Sequence, residues 1–79
     1  MKLPRDLGGD RLVARLCRKR EYVQVRQVGS HVILETDQPV AQRISIPIHT
    51  ALRVGTLHTI LRAVAEHKSV RREDILKTL

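Results

Sequence analysis

Between residues 10 and 66 the spacing of apolar residues changes twice, from helical to alternating and back to helical, and few small folds accommodate that order. Leu12, Val13, Leu16 and Cys17 recur at i, i+1, i+4 and i+5, the stripe of a helix over Asp10 to Arg20 with one buried face. Gly8, Gly9 and Asp10 supply its start, with Asp10 as N-cap. Arg18, Lys19 and Arg20 set positive charge against the negative end of the helix dipole. From Gly55 or Thr56 to about Glu66, the residues Leu57, Ile60, Leu61, Val64 and Ala65 form the fullest helical pattern in the chain. A short last helix is expected over Val70 to Leu79, with Ile75, Leu76 and Leu79 as its apolar side and Ser69 as N-cap.

The alternating stretch lies between these helices. Val23 and Val25 alternate with Gln24 and Arg26, and after Gly29-Ser30 the residues Val32 and Leu34 alternate with His31, Ile33 and Glu35. Gly-Ser between two such runs fits a two-residue type II′ turn, in which glycine takes the positive φ at no steric cost. Antiparallel pairing then sets Val28 opposite His31, Gln27 opposite Val32, Arg26 opposite Ile33 and Val25 opposite Leu34. In that register Val23, Val25, Val32 and Leu34 face the core, while Gln24, Arg26, His31 and Glu35 face outward. After a turn at Asp37-Gln38-Pro39-Val40, a third strand over Arg43 to Ile48 puts Ile44, Ile46 and Ile48 on one face and Arg43 and Ser45 on the other. Pro47 cannot donate to a ladder, so that strand ends there or lies at an edge. The class is α+β in one domain over residues 1–79: helix, three-stranded antiparallel sheet, helix and a short C-terminal helix. The two main helices share one face of the sheet and leave the other open.

Charge narrows the partner. Fifteen Lys plus Arg against eight Asp plus Glu leave a formal +7 on 79 residues, so a polyanion is the natural ligand, with nucleic acid first because each neutralised phosphate releases counterions. High net charge also serves plain solubility. Tyr22 is the sole aromatic residue, which excludes base recognition by stacking on several aromatic platforms. Cys17 is alone and forms no intrachain disulfide. The N-terminus lacks the apolar core of a secretory leader and no run is long enough to span a bilayer, so the cytoplasm is the expected compartment. His31, His49, His58 and His67 are dispersed and form no metal motif with the single cysteine. The glycines make no phosphate loop, so neither a metal nor a nucleotide cofactor is assigned.

RNA cleavage needs little machinery. A ribose 2′-OH attacks its own phosphate when a base takes its proton and a cation steadies the charge that develops at phosphorus, and imidazole is suited to the first role. His31, outward on the hairpin beside a cationic side chain, is the candidate base or acid. Arg26 and Arg43 are candidates to hold phosphate, and Gly29 and Ser30 to fix the scissile linkage. His49 joins them if the third strand returns near the hairpin. A lone surface histidine is more commonly an ordinary solvated residue.

Lys2-Leu3-Pro4-Arg5, Val25-Arg26-Gln27-Val28-Gly29-Ser30-His31-Val32, Ile46-Pro47-Ile48-His49 and Gly55-Thr56-Leu57 followed by Ile60-Leu61 together resemble the HicA toxin family, from the N-terminus to about residue 65. The resemblance implies a fold like the double-stranded-RNA-binding domain, metal-independent cleavage of messenger RNA, arrest of translation and neutralisation by a HicB antitoxin. It places the family's catalytic histidine on His31. Where relatives often carry glycine after the second helix, this chain has Ala65-Glu66-His67-Lys68, which allows that helix to run further. Arg72 stands where an acid would complete a capping box begun at Ser69.

Two other classes fit the composition. One is an RNA-binding module of the same fold that performs no chemistry and reads shape through phosphates and 2′-OH groups. The other is a basic surface that serves an acidic protein, with Ile33 as an exposed anchor.

Overall fold

The computed structural model describes residues 6–49 and 51–78, which form α1 (Gly9–Lys19), β1 (Val23–Val28), β2 (His31–Thr36), β3 (Gln42–Pro47), α2 (Val54–Lys68) and α3 (Arg72–Leu76). The Lys2-Leu3-Pro4-Arg5 segment and Leu79 lie outside the described residues. The strands form one antiparallel sheet in the order β1-β2-β3, so β2 is central and the other two are edges. Val32, Leu34 and Ile46 point to one side and join Leu12, Leu16, Leu57, Leu61 and Val64 in a single buried cluster, which puts α1 and α2 on that side. This is the α+β class read from the sequence.

All five apolar residues of the α2 stripe are buried, and the helix continues through Lys68. It ends at Ser69 in the left-handed conformation, whose amide donates to the Ala65 carbonyl. Ser69 is therefore the C-cap of α2 and not the N-cap of the next helix. The last helix starts later, after Arg71, where the Arg71 amide donates to the Asp74 carboxylate. That hydrogen bond is the first cause holding the Asp74 carboxyl below its ordinary range.

The N-terminal end of α1 also differs from expectation, for a tertiary reason. Asp10 lies in the first turn, where its charge complements the helix dipole, and Gly8 is the N-cap with no side-chain cap. Gly9 opens the helix because it presses against the end of β3: a Cβ there would fall 2.0 Å from the Pro47 carbonyl oxygen. The Gly9 amide donates to the His49 carbonyl at 3.0 Å, and the Leu52 amide to the Leu7 carbonyl at 2.8 Å.

On β1 the predicted facing fails beyond one point. Val28, Gln27 and Arg26 pair with His31, Val32 and Ile33 as expected, but a bulge at Val25 brings Gln24, not Val25, opposite Leu34, and Val23 opposite Glu35. The extra residue shifts the side-chain alternation by one. Gln24 and Gln27 therefore take the helix-facing side, in a groove with Asp10, Val13, Ala14 and Cys17, while Val23 joins the open face. Val23 and Val25 are not core residues. The sequence carries a trace of this, since the valines step by two from Val23 to Val25 and then by three to Val28.

Far from the hairpin, polar side chains close the sheet. The Tyr22 hydroxyl donates to Gln42 Oε1 at 2.5 Å, and Gln42 Nε2 donates to the Ala63 carbonyl. Lys68 Nζ lies 4.9 Å from the Tyr22 ring centre and donates to Thr36 Oγ1 and the Gln38 carbonyl.

Candidate functional site on the open sheet face

Three segments meet at the hairpin end of the sheet. The Gly29-Ser30 turn joins β1 to β2, and Gly29 has the positive φ, +58°, that a type II′ first position requires. Gln27 Nε2 donates to the Gly29 carbonyl at 3.1 Å, which ties the turn to its own strand. The Ile48 amide donates to the Ser30 carbonyl at 2.7 Å, so the chain leaving β3 is bonded to the turn. The condition set for His49, that the third strand return near the hairpin, is met. The His49 carbonyl in turn accepts from Gly9, which fixes the start of α1 at the same place.

His31 is the first residue of β2, exposed, and flanked in its row by Val28 on β1 and Pro47 on β3. The next row on the same open face holds Arg26, half-buried Ile33 and Ser45. Diagonal neighbours across a sheet lie about 7–8 Å apart, within reach of a long side chain, so Arg26 and His31 can serve one ligand. Among the described residues Arg26 has no ion-pair partner. A Cβ built on Gly29 meets nothing within 4 Å, so the space over the turn is open to an approaching backbone.

Arg43 is not brought to this end. It pairs with Glu35, four residues along β2 from His31, a separation of about 13 Å. Its guanidinium also grips the Glu35 carboxylate through Nε at 2.7 Å and Nη2 at 2.6 Å. Exposed pairs of this kind contribute only about 0–1 kcal/mol, so the pair orders the far end of the open face more than it stabilises the fold. The site thus gathers His31, Gly29, Ser30, Arg26 and His49 at one end, with Arg43 at the other.

Sequence reasoning missed the role of Gly9, whose lack of a side chain lets α1 reach β3, because nothing local to Gly8-Gly9 reveals that contact. The sequence register had already set Val28 opposite His31 and Ile33 outward, and with both in place this face is not uniformly polar. Among the described residues no group of three or more His, Cys, Asp or Glu side chains comes together, and no helix is long and apolar enough to cross a membrane.

Fold and site together define a small α+β domain whose uncovered sheet face carries Arg26, without an ion-pair partner among the described residues, and an exposed imidazole at one corner. No curated protein and no solved structure matches the chain. A family model described as HicA toxin of bacterial toxin-antitoxin matches residues 10–65. The chain belongs to the HicA toxin family, and as the toxin of a toxin-antitoxin pair it has an antitoxin as its partner.

Proposed function

We propose that this toxin is an endoribonuclease that cuts messenger RNA in the cytoplasm without a metal ion, so arresting translation, and that a HicB-type antitoxin silences it. His31 takes the proton of a ribose 2′-OH and the resulting alkoxide attacks the adjacent phosphorus. The bond from phosphorus to the 5′ oxygen breaks and that oxygen collects a proton, from the His31 imidazolium or from His49. The products are a 2′,3′-cyclic phosphate and a free 5′-OH. Arg26 neutralises the phosphate at the cut, and Gly29 and Ser30 hold the linkage through the turn. Arg43, about 13 Å along the strand, contacts a more distant phosphate.

The observation that carries this reading is the exposure of His31 on the open face, in a corner where three backbone segments are bonded together. A general base contributes roughly 10²–10⁴-fold to a rate. Cleavage of a mixed RNA in excess EDTA should therefore fall by about that factor in His31→Ala with RNA binding intact. A 2′-deoxy substitution at the cut should abolish the reaction. Undiminished cutting by His31→Ala removes the assignment, and binding by the native chain without any cutting favours the non-catalytic module.

A further inference from the structure

The exposed arc of α1 carries Arg11, Arg18 and Lys19, with half-buried Arg15 between them, at i, i+4, i+7 and i+8. Successive rows of this stripe are about 6 Å apart along the helix axis, and its cations rise over about 12 Å. Among the described residues none of the four forms an ion pair. Asp10 is the only acid in the helix, and its carboxylate accepts from the Arg11 amide at 2.8 Å. Five of the chain's fifteen basic residues fall between Arg11 and Arg20. Arg20 is committed elsewhere, since its Nη2 donates to the Asp74 carbonyl.

The helix is anchored so that this stripe starts at the His31 corner. Gly9 sits against Pro47, the β3 partner of His31, and α1 then runs away beneath β1 and β3. A chain leaving the open face over the end of the sheet therefore meets Arg11 first, then Arg15, then Arg18 and Lys19. The arc offers a protein partner no apolar anchor larger than Ala14, whereas protein interfaces rely on buried aromatic and aliphatic anchors. A phosphate backbone needs only evenly placed positive charge.

We infer that the α1 stripe is a second RNA-docking surface, which holds the phosphate backbone flanking the cut and reads no bases. The inference rests on RNA being the substrate at His31. It implies that long RNA is preferred over short RNA, and that this preference resides on α1.

Two matched charge-removing variants test it in the full chain: Arg11→Gln/Arg18→Gln on the stripe, and Arg62→Gln/Lys77→Gln on exposed positions of α2 and beyond α3. Each neutralised single-strand phosphate contributes about 0.7 to the slope of log affinity against log salt. The stripe variant should therefore lose about 1.4 in slope and at least about tenfold in affinity for a long unstructured RNA near 0.1 M salt. Its cleavage of a tetranucleotide should match that of the native chain. The Arg62→Gln/Lys77→Gln variant should keep the native slope, and Arg11→Lys/Arg18→Lys should restore it.

Equal losses in both Gln variants, unchanged long-RNA affinity in the stripe variant, or native cleavage that is indifferent to RNA length would each overturn the inference. So would loss of antitoxin capture alone. Native protein that binds RNA through the stripe but cuts nothing leaves the docking surface standing and removes only the nuclease reading.

Discussion

On β2, Val32 and Leu34 are 2% and 0% exposed; on β1 beside it, Val23, Val25 and Val28 keep 62%, 46% and 55% of their surface. The two strands have equal length and both are rich in β-branched or aliphatic residues, so composition does not separate them. Coverage does. The helices bury the inner side of the central strand, whereas β1 lies at the edge and its bulge carries Val23 to the open face. An aliphatic residue in a strand contributes to the core only where a helix lies over it. The passage is abrupt at the entrance to β1, where buried Tyr22, 2% exposed, precedes Val23.

The sharpest test of that contrast is a pair of truncations. Leu34→Ala should cost about 2–5 kcal/mol in urea unfolding, because it opens a cavity in the inner layer. Val23→Ala and Val25→Ala should each stay within about 0.5 kcal/mol. Comparable losses on both strands would mean that β1 is covered in solution and that the contrast is wrong.

Next in size is Gly9→Ala, which probes what sets the helical cover in place. The added methyl meets the Pro47 carbonyl, so α1 or β3 must shift, a strain of about 1–3 kcal/mol set against a gain of up to about 1 kcal/mol in helix propensity. A net loss of stability, together with weakened RNA cleavage, is the expected result. An unchanged melting curve would show that α1 is not registered by this contact.

The smallest effect reads the boundary at Tyr22. Burial pushes its hydroxyl from the ordinary value near 10 to about 12. The folded state therefore holds the proton more tightly than the unfolded chain, and this stabilisation is complete below pH 10 and lost as pH rises toward 12. By pH 11 the loss is about 1.4 kcal/mol relative to pH 9. Lys68 opposes it, since burial lowers the ammonium's pKa and favours the folded state as that group deprotonates. Urea midpoints measured from pH 9 to 11 should therefore fall in the native chain and fall less in Tyr22→Phe.

Much of this was legible in the sequence. The α2 stripe, the Gly29-Ser30 turn, the pairing nearest the turn and the outward direction of His31 all follow from spacing and turn chemistry, because each is decided within a few residues. What stayed hidden depends on distant partners. Asp10 has the chemistry of an N-cap, yet the helix start is set by how closely Gly9 must approach Pro47. Ser69 has the chemistry of an N-cap too, yet α2 runs on to it and the last helix takes Arg71 and Asp74 instead. Perfect alternation from Val23 placed that valine inward, and one bulged residue reversed it. Within the candidate site, the turn and His31 were readable, but the distance from His31 to Arg43 needed the full register of β2 with β3.

The corner that holds His31 is closed by backbone bonds from Gly9 to His49 and from Ile48 to Ser30. These contacts join residues far apart in the chain, so no fragment emerging from the ribosome can form the corner until residue 49 has left the exit tunnel and the sheet has closed. Until then a nascent chain carries the imidazole without its setting. Under the nuclease activity proposed for His31, cutting therefore waits until that corner has closed.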